Sequence, residues 1–294
     1  MKKYMSVLCC ILLLLLSVKL AMELTAKFSM PRTELRENRQ EKERKVERKV
    51  TEKSERVKLY LGSDGYLSQL FSEKDREALV NANRVQEDEV YSFLQGPRSW
   101  EEGIPWSGEW CLLGVRGNSF GNFGCGLCCM ANIYDTLSPY KVSPWDMCEY
   151  AMSVTNYSPS GESGAIGWKH MKETLRFCGF TCYLLHKPAI YEEFQQQMEQ
   201  MESAIVLISS KEDDTYWKDT PGHYVNIWLY RKEDDTVFLA EPGSPENNRS
   251  RIPLRYVYDA LKTISTFQYL AVEEYQEEDN QWKADGIDEL WNAP

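Results

Sequence analysis

Five short runs of β-branched and aromatic residues in the later part of the chain constrain the fold more than any other feature. They are FTCYLL, AIVLISS, HYVNIWLY, TVFLAEP and TFQYLAV, and they lie between residues 180 and 272. Runs of this length and composition, bounded by polar segments, predict β-strands. The sequence therefore predicts an antiparallel sheet in this region.

Helical patterns come before most of these runs. Apolar residues recur at the spacing of one helix face over 127–137, and Pro139 ends the pattern. Ser143 followed by Pro144 is typical of a helix start. Helices collected early and a sheet late predict an α+β fold. Two further helices are expected over 165–179 and 190–201.

The first residues indicate an export signal. Lys2 and Lys3 precede the apolar run MSVLCCILLLLLSV, an arrangement typical of secretory signals. Residues 1–22 are therefore interpreted as a signal peptide or an uncleaved signal anchor, because the run is marginal in length for spanning a bilayer. The protein is expected to be exported, and either secreted or anchored in the membrane at the outer cell surface.

The regions flanking the central part of the chain are charged. Residues 32–58 hold 11 basic and 7 acidic residues and little to bury, so residues 23–58 are expected to form a solvated helix or a disordered stalk or linker. The folded domain is predicted over 59–272. The acidic segment 273–294 lacks a clear periodicity and is expected to be a loosely attached tail that packs few apolar atoms.

The overall charge limits the kinds of partner. A net charge of −11 and the absence of a basic cluster in the middle region disfavour nucleic acid. The basic stalk is either a plain spacer or a segment that attaches to anionic membrane headgroups or wall polymers.

The stretch GNFGCGLCCMANIY, residues 121–134, places three cysteines in five positions where a helical pattern begins. Zinc is disfavoured, because C-x2-C-C and three histidines do not supply a second ligand pair. Seven cysteines follow the signal, an odd number, so at least one thiol stays unpaired or pairs between chains. Cys125 at the first helical turn faces unpaired backbone N–H groups that favour a thiolate. Cys128 and Cys129 are interpreted as packing residues.

A thiolate nucleophile needs an imidazole partner, and the hairpin around the polar turn KEDD offers one. His223 begins its first strand, and centring the turn on KEDD places Glu241 opposite or diagonal to His223 on the same face. A carboxylate at the end of an apolar strand is hard to explain by burial alone. His170 and His186 are interpreted as surface residues.

The segments GCGLCCMANIY, TPGHYVNIWLY and FLAEPGSP, in that order, resemble the papain-like cysteine peptidases of the bacteriocin-processing, double-glycine type, peptidase family C-thirty-nine, in their stand-alone exported form. The resemblance spans about residues 91–272. It implies a papain-like fold in which Cys125 is the nucleophile, His223 the general base and acid, and Glu241 the orienting residue. The family usually has proline where this chain has Leu127, and aspartate in place of the glutamate.

The resemblance also implies an oxyanion-binding glutamine upstream of the nucleophile. The segment FLQGPRSWEEGIPWSGEW resembles that part of the family, which makes Gln95 the candidate. Asn118 and Asn122, in the glycine-rich approach to Cys125, are the substitutes. No cofactor and no metal are implied.

The chemistry implied is cleavage of a peptide bond in a peptide or protein through a thioester acyl-enzyme. Two other classes of function stay open. An acyltransferase or a deamidase would use the same three residues with another acceptor or substrate. A catalytically inactive, peptide-binding module on a stalk is the alternative that is not an enzyme.

Overall fold

A computed structural model of the protein describes residues 85–159, 164–284 and 286–294. The predicted export signal, the predicted stalk and the first part of the predicted domain, 59–84, lie outside the described residues. Among the helices that are described, none is long and apolar enough to cross a membrane.

The described part of the chain contains both helices and strands. The helices are α1 (Pro97–Glu101), α2 (Phe120–Phe123), α3 (Cys125–Leu137), α4 (Pro144–Val154), α5 (Trp168–Phe177), α6 (Tyr191–Met198) and α7 (Leu254–Ala260), with a 3-10 turn at Glu109–Leu112. The strands are β1 (Gly114–Val115), β2 (Asn118–Ser119), β3 (Cys178–Leu185), β4 (Ser203–Ile208), β5 (His223–Arg231), β6 (Thr236–Ala240), β7 (Ser250–Pro253) and β8 (Tyr269–Asn280).

The main sheet has six strands in the order β3, β8, β4, β5, β6 and β7, and every neighbouring pair is antiparallel. The five predicted strands are all in this sheet, and β7 with the helix α7 that follows it was not predicted. The fold is α+β, as expected. The strict order of helices first and strands afterwards is not confirmed, because α6 and α7 lie between strands along the chain.

Both faces of the sheet are covered. Alternate strand residues, such as Tyr224 and Trp228 of β5, pack in the core with α3, α4 and α5. The residues between them, such as Val225 and Ile227, pack in a second core with α6 and α7. Since side chains alternate across a strand, a strand buried on both faces has an almost continuous apolar sequence, which is why HYVNIWLY and AIVLISS were recognisable.

The start of α4 follows its sequence signal. The Ser143 side chain accepts a hydrogen bond from the Asp146 backbone N–H, and the Asp146 carboxylate accepts one from the Ser143 backbone N–H. This reciprocal capping box satisfies two backbone donors of the first turn. Helix α3 ends at Leu137, with Ser138 as its C-cap and Pro139 next, as the sequence predicts.

The expectation that the segment after 273 is loosely attached and packs few apolar atoms is wrong. Residues up to Asn280 continue β8 along β3. The Trp282 ring then stacks on Tyr150 with a centroid distance of 4.1 Å, and Trp291 packs against Phe93 at 5.8 Å. The aromatic residues of this segment are too widely and irregularly spaced to give a periodic signal.

Replacing Trp282 should test this attachment. Trp282→Ala removes the stacked ring and should lower the free energy of unfolding by about 2 kcal/mol or more, since truncation of buried aromatic rings costs roughly 3–5 kcal/mol and this ring is half-buried. Urea denaturation measures the loss. Trp282→Phe, which keeps a ring on Tyr150, is the control and should lose much less. Equal stability of Trp282→Ala and the wild type would show that the segment does not contribute.

Candidate active site

Cys125 is the first residue of α3, and Gly124 is its N-cap. The flanking glycines allow close packing around the start of this helix. A Cβ at Gly124 would lie 2.3 Å from the Phe120 ring, and one at Gly126 would lie 2.7 Å from Ile166. Cys125 itself is 7% exposed. The thiol therefore lies at a packed helix start, where backbone N–H groups lack intrahelical partners.

The hairpin of β5 and β6 brings His223 to Glu241. Asn226 lies opposite Ala240 in this hairpin, so Glu241 lies diagonal to His223, within the predicted range of registers. The His223 Nε2 and Glu241 Oε1 atoms are 2.5 Å apart. The charge of the same imidazole and a hydrogen bond from it lower the pKa of the Cys125 thiol, so the thiol lies beside the ring. Since Nε2 faces the carboxylate, Nδ1 is the nitrogen left for the sulfur.

The Glu241 carboxylate is 2% exposed and accepts hydrogen bonds at both oxygens. Oε1 also accepts from the Gly243 N–H at 2.8 Å, and Oε2 accepts from the Trp217 indole N–H at 3.0 Å. Burial raises the pKa of Glu241, but the charge of His223 and these donors outweigh burial and lower the pKa below its usual value. A buried carboxylate that stays ionised can orient an imidazole and stabilise its charged form.

The other two groups shift in the directions that an ion pair requires. Burial lowers the pKa of His223, but the Glu241 charge and the hydrogen bonds to Cys125 and Glu241 outweigh burial and raise the pKa well above its usual value. Burial raises the pKa of Cys125, and the hydrogen bond and charge of His223 reverse this and lower it. The Tyr224 and Gly126 backbone N–H groups act in the same direction.

The pKa values of the other six described cysteines shift in the opposite direction. All seven described cysteines, Cys125 included, are unpaired and buried. Burial raises the pKa of Cys128 and Cys129 well above the usual value, and neither has a cationic neighbour that offsets it. Burial also raises the pKa of Cys111 and Cys182 to about 11. The same direction holds for the remaining two, Cys148 and Cys178. Of these seven cysteines, Cys125 alone has a lowered pKa.

Gln95 lies beside the segment that leads into α3. Its side-chain Nε2 donates to the Gly121 carbonyl at 2.7 Å, and its backbone N–H donates to the Pro242 carbonyl at 2.9 Å. The Gln95 Oε1 atom is buried and has no partner among the described residues. The backbone bond places Gln95 next to the residue that follows Glu241, which agrees with a place at the site and leaves its role as oxyanion donor a prediction.

The remaining candidates do not join this cluster. The Asn118 amide donates to the Pro159 carbonyl at 3.1 Å, and Asn122 is exposed. His186 is exposed and stacks on Phe267. His170 is half-buried, so its interpretation as a surface residue is only partly correct. Among the histidines, His223 alone contacts Cys125 and a carboxylate.

Trp217 is a contributor that the sequence analysis missed. It belongs to the polar segment 209–222 between β4 and β5, yet its ring is 5% exposed and its N–H reaches Glu241. A lone tryptophan in a polar loop, a few residues before a candidate catalytic histidine, was the available signal. Gly243 was missed too: a Cβ there would lie 3.0 Å from His223 Nε2, so glycine lets the turn lie against the imidazole.

Comparison with known proteins finds little. No family model matches the chain, and no curated protein matches it. Among solved structures, the chain is similar to the peptidase domain of Streptococcus ComA, a bi-functional ABC transporter involved in a quorum-sensing pathway. That similarity has 11% sequence identity and a TM-score of 0.36, and it covers 51% of this chain and 88% of that chain. A likeness at this level does not identify a family or an activity.

The lowered pKa predicts selective labelling of Cys125. At pH 7 iodoacetamide should modify Cys125 well before the other described cysteines, because the thiolate is the nucleophile and is present above a pKa that lies below its usual value. In His223→Ala only burial and the backbone donors remain, so the pKa should rise and the labelling profile should move to higher pH. Peptide mass spectrometry after timed quenching measures both. Uniform labelling of all seven cysteines would contradict the assignment.

Trp217→Phe should test the hydrogen bond from the Trp217 indole to Glu241. The ring is kept, but Glu241 Oε2 loses its donor, so the pKa of Glu241 should rise and the free energy of unfolding should fall by about 1.5–3 kcal/mol, the range for a hydrogen bond to a charged group. Labelling of Cys125 should slow several-fold, because His223 is less firmly oriented. Tyr216→Phe, next to it in the same loop, is the matched control. Wild-type labelling and stability in Trp217→Phe would rule out this role.

Proposed function

We propose that this protein is an exported cysteine peptidase with a papain-like fold, which cleaves a peptide bond in a peptide or protein through a thioester acyl-enzyme. The observation that carries the proposal is that His223, paired with the buried Glu241 carboxylate, is also the group that lowers the pKa of Cys125. Export is included because of the N-terminal apolar run behind Lys2 and Lys3. The protein is secreted if that run is cleaved and anchored in the membrane if it is not.

In the proposed reaction the Cys125 thiolate attacks the carbonyl carbon of the substrate and a tetrahedral oxyanion forms. Imidazolium at His223 then gives its Nδ1 proton to the leaving amine, the C–N bond breaks and a thioester remains on Cys125. Neutral His223 next takes a proton from water, the hydroxide displaces the thiolate, and the acid product leaves. Glu241 keeps Nε2 as a donor throughout, so that Nδ1 is the atom that exchanges protons.

The oxyanion would be held at the start of α3. Backbone N–H groups of the first helical turn lack intrahelical acceptors, and the helix dipole favours negative charge there. Gln95 would add its side-chain N–H after exchanging the Gly121 carbonyl for the oxyanion. The buried Gln95 Oε1 atom without a described partner agrees with an amide that is not fixed by two hydrogen bonds.

The test separates Cys125 from its neighbours. Cys125→Ala should abolish covalent capture of a peptide-like electrophile, because the sulfur that forms the bond is gone. Cys128→Ala and Cys129→Ala should keep most of the capture and lose about 1 kcal/mol of stability, as is usual for trimming a buried packing atom. Glu241→Gln should fall between, at least about tenfold slower, because it removes the charge that orients His223 and stabilises its imidazolium. Intact-mass spectrometry after timed exposure measures each variant.

Two results would contradict the proposal. Capture that persists in Cys125→Ala and disappears in Cys128→Ala or Cys129→Ala would move the nucleophile. No capture by the wild type would favour the inactive binding module. If capture occurs, incubation with a peptide library and an added primary amine separates hydrolysis from acyl transfer, since the acceptor is water in one product and the amine in the other. Release of ammonia from glutamine-containing peptides would indicate a deamidase.

A further inference from the structure

A polar side chain lies fully buried in the helix that carries the candidate nucleophile. Asn132 is 0% exposed and stands seven residues after Cys125, on the same side of α3. Asparagine is a weak helix former, and burying an amide costs free energy unless its hydrogen bonds are made. An apolar residue would suit this position better if packing were its only role. The Asn132 amide therefore needs another explanation.

The Asn132 amide joins α3 to two segments that are distant in sequence. Its Oδ1 accepts from the Phe93 backbone N–H at 2.8 Å, and its Nδ2 donates to Asn226 Oδ1 at 3.0 Å. Phe93 lies two residues before Gln95, and Asn226 lies three residues after His223. One buried side chain thus connects the three chain segments that hold Cys125, Gln95 and His223.

The side-chain amide of Asn248 connects the same segment to Glu241, the candidate orienting acid. Asn248 Oδ1 accepts from the Glu241 backbone N–H at 2.9 Å, and Asn248 Nδ2 donates to the Ser92 carbonyl at 2.7 Å. Residues 92–95 are therefore bound on one side to α3 through Asn132 and on the other to the Glu241 segment. The Asn132 bonds are buried and therefore favour one relative arrangement, because a shift leaves a polar group unpaired away from water. The half-buried Asn248 bonds act in the same direction.

We propose that Asn132 is a positioning residue for the site, which holds the nucleophile helix, the histidine strand and the Gln95 segment in one register through its hydrogen bonds to Phe93 and Asn226. This inference rests on the proposed function. Asn132 acts through the placement of Cys125, His223 and Gln95, and it touches no reacting atom. Near the reacting groups, a displacement of about 1 Å can lower a rate about a hundredfold, so a link one helical turn or two away is able to affect chemistry.

The experiment compares Asn132→Leu with a packing control in the same helix. Leucine is similar in size and removes both hydrogen bonds. Met130→Ala, also 0% exposed in α3, removes packing without touching these bonds. Thermal unfolding measures the stability of each folded variant. The pH profile of iodoacetamide modification of Cys125 measures the pKa of its thiol, which depends on the placement of His223.

Asn132→Leu should shift the modification profile to higher pH and slow the reaction at pH 7 about tenfold or more, since a misplaced imidazole no longer offsets burial of the thiol. Met130→Ala should lose stability and keep the wild-type profile. Asn226→Leu, which removes only the Asn132 to Asn226 bond, should shift the profile in the same direction. The double variant should shift less than the sum of the two, because both single changes remove that one bond.

The outcomes separate this inference from the proposed function. If wild-type Cys125 is not modified ahead of the other cysteines, the proposed function fails. If it is, and folded Asn132→Leu or Asn226→Leu keeps the wild-type profile, the positioning role fails and the function stands. A profile shift in Met130→Ala equal to that of Asn132→Leu would also overturn the role, because loss of packing alone would then explain it. If Asn132→Leu does not fold, Asn226→Leu decides.

Discussion

The short contact between His223 and Glu241 is the interaction on which the rest of the site depends. A carboxylate with almost no exposure would be expected to neutralise itself, because removing a charge from water costs several kcal/mol. Here Glu241 accepts from the imidazole, from the Gly243 N–H and from the Trp217 indole. With the carboxylate ionised, His223 is held in its charged form, and the charged imidazole in turn lowers the pKa of Cys125.

This chain of effects requires parts of the fold that are far apart in sequence. The thiol begins α3, the imidazole begins β5, the carboxylate follows β6, and the indole comes from the loop before β5. The sheet fixes the His223 imidazole and the Glu241 carboxylate relative to each other, since β5 and β6 pair in one register. The buried amide of Asn132 and the half-buried amide of Asn248 connect the helix and the segment 92–95 to them. The core that covers both faces of the sheet excludes water and makes these polar contacts decisive.

Several elements followed from the sequence because their causes are local. The capping of α4, the end of α3 near Pro139 and the apolar strands buried on both faces depend on residues within a few positions of each other. The hairpin register was also accessible, because a short turn leaves few ways to align two strands. The prediction for the segment after 273 was wrong. Trp282 and Trp291 pack against rings of other elements, and no local sequence pattern indicates such contacts.

By itself, the sequence determined the α+β class, the helix start at Cys125 and the alignment that places Glu241 within reach of His223. It did so because period, capping and turn length are properties of neighbouring residues. The tertiary structure decided the remainder: that Cys125, alone among the seven described cysteines, is opposed by an imidazole, that Trp217 donates to the buried acid, and that Asn132 joins three segments. These three contacts join residues that are far apart in the chain, and their strength depends on burial. Such contacts form only after the core has formed.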